Sequence, residues 1–213
     1  MHTAPDRWLT DGPAKADCTI ALAHGAGLPM DSPFMEHIAC GLAENGYRVV
    51  RFEFPYMADR RTHGTKKPPN REPVLRETWL EVIRSLGPER LVISGKSMGG
   101  RIASLVAEEA QVMGLVALGY PFHPVGKPDR LRVEHLAHIT TPTLILQGER
   151  DPFGKPEEVA TYALGPQVRV EWIADGEHSF KPRKASGLTT EQNWDTAVQH
   201  FAQFCRALTE GST

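Results

Sequence analysis

The sequence predicts a single α/β domain, residues 1–213, in which a mostly parallel central sheet carries helices on both faces. Short runs of aliphatic and β-branched residues alternate with helical patterns along the chain, and such alternation builds open parallel sheets. Several of the runs are almost entirely apolar, as expected for strands buried on both faces. The predicted strands are Cys18–Ala23, Arg48–Phe54, Leu91–Ser94, Leu115–Leu118, Thr143–Leu146 and Val168–Ile173.

Helices are predicted between these strands from apolar residues at helical spacing. The first begins at Ser32-Pro33, an N-cap residue followed by proline at the first helical position, and ends at Asn45-Gly46. The others start near Pro73, start after Ser97, and cover Pro156–Ala163 and Glu191–Leu208. In a sheet of this kind the ligand site lies at the carboxyl ends of the strands, so the chemistry is sought there.

The composition is that of an ordinary globular protein. The chain has 213 residues and a formal net charge of -2, which indicates neither a nucleic-acid partner nor a membrane surface. Residues 1–16 contain no apolar stretch and are expected to form a loosely ordered segment, and a cytoplasmic location is predicted. His135 and His138 lack a third ligand at a fitting spacing, and no metal site or cofactor is predicted. Free thiols are expected at Cys18, Cys40 and Cys205.

The segment Gly95–Gly99 carries the pattern G-x-S-x-G, with Ser97 at its centre. The pattern follows an apolar strand directly and opens an apolar-periodic helix, which is the setting of a nucleophile elbow. Gly95 and Gly99 would keep side chains out of the crowded positions two before and two after the serine. The turn would place Ser97 at a helix N-terminus, where backbone N–H groups favour a developing anion. A glycine-rich packing turn with an N-cap serine is the alternative.

A second glycine-rich segment, His24-Gly25-Ala26-Gly27, follows the first predicted strand. Proteins with this elbow place their second oxyanion donor in that loop. The two N–H groups that stabilise a tetrahedral intermediate are therefore assigned to Met98 and Ala26. His24 is interpreted as a residue that shapes the loop, because it precedes the serine along the chain. A simple turn after an edge strand is the alternative.

The acid and the base are expected in the chain order Ser, Asp or Glu, then His. Asp151 follows the fifth predicted strand and His178 follows the sixth, so both loops should face the rim that holds Ser97. His178 would accept the Ser97 proton, and Asp151 would orient the imidazole and stabilise its cation. Glu149 and Asp175 are rival candidates for the acid.

Six motifs together resemble a small α/β-hydrolase-like family, which includes testis-expressed hydrolase-like proteins and a hydrolase-like subunit of a histone acetyltransferase complex. More distantly, the chain is similar to dienelactone hydrolases. The motifs are H-G-A-G at His24–Gly27, F-P-Y-M at Phe54–Met57, G-K-S-M-G-G-R at Gly95–Arg101, Y-P-F-H-P-x-G-K-P at Tyr120–Pro128, G-x-x-D at Gly148–Asp151 and H-S-F at His178–Phe180.

The resemblance implies an α/β-hydrolase fold with a Ser-Asp-His triad at Ser97, Asp151 and His178, and it implies no particular substrate. The chain departs from dienelactone hydrolases, because it has serine where they use a cysteine nucleophile. Only about 24 residues separate the fourth and fifth predicted strands, which is too few for the cap domain of larger esterases. We therefore expect an open site without a cap domain.

These observations predict a serine hydrolase that cleaves a small-molecule carboxylic ester or thioester through an acyl-enzyme. A non-catalytic scaffold that binds a protein partner, and an acyltransferase or peptidase with the same triad, are the alternatives. Lys96 in the elbow and the basic residues of Ala58–Arg71 could attract an acidic substrate or partner, although a solvated basic loop is the simpler interpretation. The sequence leaves the oligomeric state open.

Overall fold

A seven-stranded sheet forms the centre of the structure, a computed structural model that describes residues 8–211. Its strands are β1 (Leu9–Asp11), β2 (Thr19–Ala23), β3 (Arg48–Phe52), β4 (Leu91–Lys96), β5 (Gly114–Leu118), β6 (Thr143–Gly148) and β7 (Val168–Ile173). The strand order is β1-β3-β2-β4-β5-β6-β7. Every neighbouring pair is parallel except β1 and β3, which are antiparallel. The predicted mostly parallel sheet is therefore confirmed.

Helices link the strands and cover both faces of the sheet. They are α1 (Pro33–Glu44), α2 (Pro55–His63), α3 (Glu72–Leu86), α4 (Met98–Ser104), α5 (Ala107–Ala110), α6 (Pro156–Val159) and α7 (Thr190–Glu210). Two short 3-10 turns cover Glu134–Ala137 and Lys184–Ser186. Proline occupies the first turn of four of these helices, where its missing N–H costs nothing.

Two apolar cores lie on opposite faces of the sheet. On one face α3 and α4 pack against the strands, with Trp79 fully buried among them. On the other face α1 and α7 pack side by side, with Phe201 fully buried. Burying one large apolar side chain stabilises the fold by roughly 1.5–3 kcal/mol, so the two cores hold the strand ends, and the loops after them, in fixed positions.

The amino-terminal part of the chain is more ordered than the sequence predicts. Residues 1–7 of the expected loose segment lie outside the described residues, but Leu9–Asp11 within it pairs with β3. Arg51 on β3 is buried, and its Nε and Nη2 atoms each donate a 3.0 Å hydrogen bond to Asp11. Because a buried guanidinium needs a counter-charge, this pairing anchors β1 at the sheet edge. Three residues are too few for a sequence pattern to indicate a strand.

A second difference lies after β3, which ends at Phe52, two residues before the predicted end. Helix α2 then begins at Pro55 and ends at His63, so it overlaps the predicted basic loop Ala58–Arg71. Only Tyr56 and Met57 of this helix are buried, so it carries no repeated apolar spacing that could have indicated it. The helix lies beside the loop after β2, which is why it matters for the site.

Residues 8–211 include no separate cap domain, as predicted. Residues 119–142, between β5 and β6, contain one 3-10 turn and otherwise irregular structure. Across the described range 8–211, no helix has both the length and the apolar character that a membrane span requires.

Candidate active site

Three side chains from three different loops meet at the carboxyl ends of the strands. Ser97 lies in the turn between β4 and α4, Asp151 follows β6, and His178 follows β7. The Ser97 Oγ atom lies 2.9 Å from His178 Nε2, and His178 Nδ1 lies 2.8 Å from Asp151 Oδ2. The structure thus brings together the three residues that chain order predicts.

The turn at Ser97 is strained in the manner of a nucleophile elbow. Ser97 has φ 51° and ψ -113°, a backbone conformation that residues other than glycine rarely adopt. A Cβ atom on Gly95 would lie 2.5 Å from the Gly100 nitrogen, and one on Gly99 would lie 2.5 Å from the His24 carbonyl oxygen. Both contacts are too short for any side chain, so the two motif glycines allow the tight turn.

Asp151 is fully buried and has a hydrogen bond to each carboxylate oxygen besides the one from His178. The backbone N–H of Phe153 donates to Oδ1 at 2.9 Å, and Gln147 Nε2 donates to Oδ2 at 3.1 Å. Gln147 is itself fully buried, and its Oε1 accepts a 2.7 Å bond from the Tyr120 N–H. Gln147 was not predicted from the sequence, although a polar residue at the end of an apolar strand, four before Asp151, is a usable signal.

The two rival acids are engaged elsewhere. A Glu149 carboxylate oxygen accepts a 2.8 Å hydrogen bond from the backbone N–H of Asp175. The Asp175 carboxylate pairs with Arg183 at 2.8 Å and with Arg150 at 3.0 Å. Hydrogen bonds from Arg183 lower the pKa of the Asp175 carboxyl. Of the three candidates, Asp151 alone bonds to the imidazole of His178 in the described part of the chain.

His178 connects the acid to the serine and remains partly accessible, with 21 % of its side chain exposed. Because the Asp151 carboxylate only accepts hydrogen bonds, Nδ1 carries the proton and Nε2 is left to accept the Ser97 hydroxyl proton. The Phe153 ring lies 4.4 Å from the imidazole, centroid to centroid, and supports it from one side. The arrangement can transfer a proton from the serine to the imidazole, with Asp151 stabilising the cation.

His24 lies beneath the loop after β2 and is fully buried. Its Nε2 accepts a 3.1 Å bond from the Phe54 N–H, and its Nδ1 donates at 2.6 Å to the Gly25 carbonyl. Burial lowers the pKa of His24, which keeps the ring neutral and able to donate and accept at once. The side chain therefore fixes the course of the loop, and its two ring nitrogens are engaged with backbone groups of this region.

Tyr56 of α2 fixes the same loop from the other side. Its hydroxyl lies 3.1 Å from the Gly25 carbonyl oxygen and 3.0 Å from that of Ala26. In a trans peptide the N–H points away from the carbonyl, so the Ala26 N–H faces away from Tyr56. A Cβ atom on Gly25 would lie 3.7 Å from the Ser97 Cβ, so this loop runs directly beside Ser97.

The two candidate oxyanion donors are available. Neither the Ala26 N–H nor the Met98 N–H donates a hydrogen bond to another residue between positions 8 and 211. Met98 is the first residue of α4, where backbone N–H groups have no partner within the helix. A Cβ atom on Gly27 would meet nothing within 4 Å, so the loop opens to solvent at this point.

Lys96 does not face a substrate, contrary to one of the sequence-based hypotheses. Its side chain turns into the protein, with 8 % of the residue exposed, and its Nζ atom lies 5.8 Å from the centre of the Phe34 ring. The residue follows the alternation of β4, which sends the side chain before Ser97 to the α1 face of the sheet. It is therefore not placed to attract an acidic molecule from solution.

Two of the basic residues in the segment 58–71, Arg61 and Lys67, form ion pairs within the chain. Arg61 forms ion pairs with Glu53 at 2.7 Å and with Asp31 at 2.8 Å, and Lys67 pairs with Asp59 at 2.8 Å. These contacts fasten α2 to the loops on either side. The structure thus gives Arg61 and Lys67 a structural role.

The two histidines considered as metal ligands do not form a cluster. His135 Nε2 lies 2.8 Å from the Ser104 hydroxyl, and burial, with a smaller effect of Arg101, lowers its pKa to about 4. Among the residues that the structure describes, no three histidine, cysteine or carboxylate side chains could hold a metal ion together.

Comparison with protein families decides the classification. The family described as "Alpha/beta hydrolase domain" has a model that matches residues 16–206. The chain belongs to the alpha/beta hydrolase family.

Solved structures with the same fold include other alpha/beta hydrolases. A serine hydrolase without a lid from Xanthomonas campestris superposes with a TM-score of 0.65 at 21% identity, over 91% of this chain and 86% of the other. A dienelactone hydrolase from Anabaena variabilis gives a TM-score of 0.67 at 21% identity, over 92% of this chain and 89% of that chain. Est1E from Butyrivibrio proteoclasticus gives 0.69 at 16% identity, over 94% of both chains. At these identities the likeness is one of fold.

One curated relative has a higher identity over a shorter stretch. ABHD14B of Rattus norvegicus, whose name provisionally assigns it a protein-lysine deacylase activity, is 33% identical over 115 residues. The match covers 53% of this chain and 52% of the rat protein, so it spans about half of each.

Proposed function

We propose that this alpha/beta hydrolase cleaves carboxylic esters or thioesters through a covalent acyl-enzyme on Ser97. The observation that carries the proposal is the continuous pair of hydrogen bonds, 2.9 Å from Ser97 Oγ to His178 Nε2 and 2.8 Å from His178 Nδ1 to Asp151 Oδ2. A serine hydroxyl is a weak nucleophile near neutral pH, and a base in this position activates it.

Each step of the reaction has a residue to perform it. Ser97 Oγ attacks the acyl carbon while His178 Nε2 takes its proton, and Asp151 stabilises the resulting imidazolium. The negative charge on the former carbonyl oxygen faces the N–H groups of Met98 and Ala26, each worth roughly 3 kcal/mol of transition-state stabilisation. His178 then protonates the leaving alcohol or thiol. Water, activated by the same imidazole, releases the acid and restores the serine.

The surroundings of the proposed triad leave the site accessible to acyl substrates from solution. No cap domain is present in the part of the chain that the structure describes, and the imidazole of His178 is itself partly exposed. No cofactor or metal is needed for this chemistry, since the nucleophile, base and oxyanion donors all belong to the chain. The narrower kinship with testis-expressed and histone acetyltransferase-associated hydrolase-like proteins, and a cytoplasmic location, stay predictions.

Labelling with an alkyl fluorophosphonate tests the proposal, because this reagent reacts with serines that a triad has activated. We expect peptide mass spectrometry to find the adduct on Ser97, and we expect Ser97→Ala and His178→Ala to abolish it. Ser85→Ala, which removes an exposed hydroxyl from α3, is the matched control and should label like the native protein. Folded native protein that does not label, or that labels equally after Ser97→Ala, would contradict the proposal.

A panel of substrates then narrows the acyl group and separates the remaining alternatives. Short- and long-chain esters, thioesters, lactones and peptides cover the hydrolase and peptidase chemistries, and an added acceptor alcohol detects acyl transfer. N-acyl-lysine peptides belong in the panel because of the similarity to ABHD14B. A folded protein without turnover on any of these substrates, isolated together with a protein partner, would favour the non-catalytic scaffold.

A further inference from the structure

A buried amine lies directly behind the candidate triad. Lys96 is the last residue of β4 and precedes Ser97 in the chain. Its Nζ atom is fully enclosed, and it makes no hydrogen bond to any residue that the structure describes. Burying an amine without a partner is costly, so such groups are rare and call for an explanation.

The amine and the imidazole of His178 face each other across Gly119. A methyl group on Gly119 would lie 3.0 Å from Lys96 Nζ and 3.3 Å from His178 Nδ1. The two nitrogen atoms therefore lie within roughly 6 Å of each other, a distance at which two charges interact strongly in a protein interior. Gly119 has φ +66°, which favours glycine, and its missing side chain keeps this space free.

The groups around the amine determine its charge. Asp151, after β6, and Glu177 and His178, after β7, are its titratable neighbours, whereas α1 presents the uncharged Phe34 ring. Burial lowers the pKa of Lys96 to about 8, and Asp151 and then Glu177 oppose this shift. The amine therefore gains or loses its charge near pH 8.

We propose that Lys96 is a positioning residue of the hydrolase, whose charge governs how readily His178 accepts the Ser97 proton. The inference rests on the proposed function. A charged amine beside the imidazole disfavours the imidazolium. The same charge opposes the transfer of the Ser97 proton to the imidazole in the transition state. When the amine loses its proton, this opposition disappears and the reaction accelerates.

Two effects on the pH dependence follow. In Lys96→Met the opposing charge is absent, so the acid limb of the labelling rate should move to higher pH by roughly one to two units, from Coulomb's law at about 6 Å. The native protein should show a second rise in rate near pH 8, where Lys96 loses its charge. Lys96→Arg keeps a permanent charge and should retain the native acid limb without the second rise.

The experiment measures the second-order rate of fluorophosphonate labelling from pH 4.5 to pH 10 for the native protein and the two variants. Lys181→Met, which removes an exposed positive charge three residues after His178, is the matched control and should leave the profile unchanged. An NMR titration of the His178 imidazole in native protein and Lys96→Met measures the same interaction without any reaction. Urea unfolding at pH 7 establishes that each variant is folded.

The inference is supported if Lys96→Met moves the acid limb and the NMR midpoint together while Lys181→Met does not. It is overturned if the Lys96→Met profile superimposes on the native one, or if the rate falls equally at every pH, as a purely structural role would produce. If Lys96→Met does not fold, the rise in labelling rate near pH 8 tests the inference. This rise must be present in the native profile and absent from the Lys96→Arg profile. Native protein that fails to label but shows the NMR shift contradicts the proposed function and leaves the Lys96–His178 interaction standing.

Discussion

Replacing Gln147 with methionine would remove the amide that connects Asp151, the proposed acid, to the loop after β5. The amide makes four hydrogen bonds in a fully buried place. Its Oε1 accepts from the Tyr120 N–H at 2.7 Å, and its Nε2 faces Asp151 Oδ2 at 3.1 Å, the Tyr120 carbonyl at 3.2 Å and the Gly154 carbonyl at 3.3 Å. Methionine has similar length and volume, so the change removes hydrogen bonds with little effect on packing.

The loss of stability can be derived from these contacts. The Tyr120 N–H would be left buried without an acceptor, which costs about 1–3 kcal/mol. The bond to the Asp151 carboxylate is charge-assisted and contributes about 1.5–3 kcal/mol. The two carbonyl contacts share the same donor and add little. We therefore expect Gln147→Met to lower the free energy of unfolding by about 3–5 kcal/mol, with a fall in Tm of roughly 10 °C for a domain of this size.

Urea unfolding followed by circular dichroism measures this difference, with Gln203→Met as the matched control. Gln203 lies on the exposed face of α7, where the same substitution should change the free energy of unfolding by less than about 0.5 kcal/mol. Labelling of Ser97 should also slow, by roughly tenfold to a hundredfold, because the Asp151 carboxylate no longer holds the imidazole in one place.

A Gln147→Met protein as stable as the Gln203→Met control would refute the reasoning. It would mean that the buried amide network contributes nothing net to folding. A large loss of stability with an unchanged labelling rate would instead separate the two roles of Gln147 and show that Phe153 and the backbone suffice to hold the acid.

Two other predictions concern the triad and the acid stability of the fold. Asp151→Asn should slow fluorophosphonate labelling by about 10⁴-fold in a folded protein. The amide nitrogen of asparagine must face either the His178 Nδ1–H or the Phe153 N–H, and both of these groups are donors. A loss of less than tenfold would contradict the assignment of Asp151 as the acid. Burial lowers the pKa of His135 to about 4, so the unfolded chain binds this proton more readily than the native protein does. The part of the free energy of unfolding that depends on a neutral His135 is therefore fully present above about pH 6.5 and is lost as the pH falls towards 4. In His135→Gln, urea unfolding between pH 7.5 and pH 4.5 should show a shallower loss, and equal slopes in both proteins would contradict this.

The pattern of the chain by itself determined the fold class and the approximate place of the site. Apolar runs and helical spacing reflect how each segment buries one or both of its faces, and this information is local. Because the carboxyl ends of parallel strands meet at one rim, the elbow motif and the chain order indicated Ser97 and His178 and favoured Asp151 without excluding Glu149 or Asp175. The residues of the elbow were equally visible, since a tight turn restricts which residues can flank the serine.

The tertiary structure alone decided how the side chains at that rim are used. Glu149, Asp151 and Asp175 all stand near strand ends, and only the packing of the loops shows which carboxylate bonds to the imidazole. The same holds for the inward turn of Lys96 and for the hydrogen bonds of Gln147. Strand order places residues at an edge, but the direction of a side chain and its partners depend on neighbours far away in the chain, which no local pattern encodes.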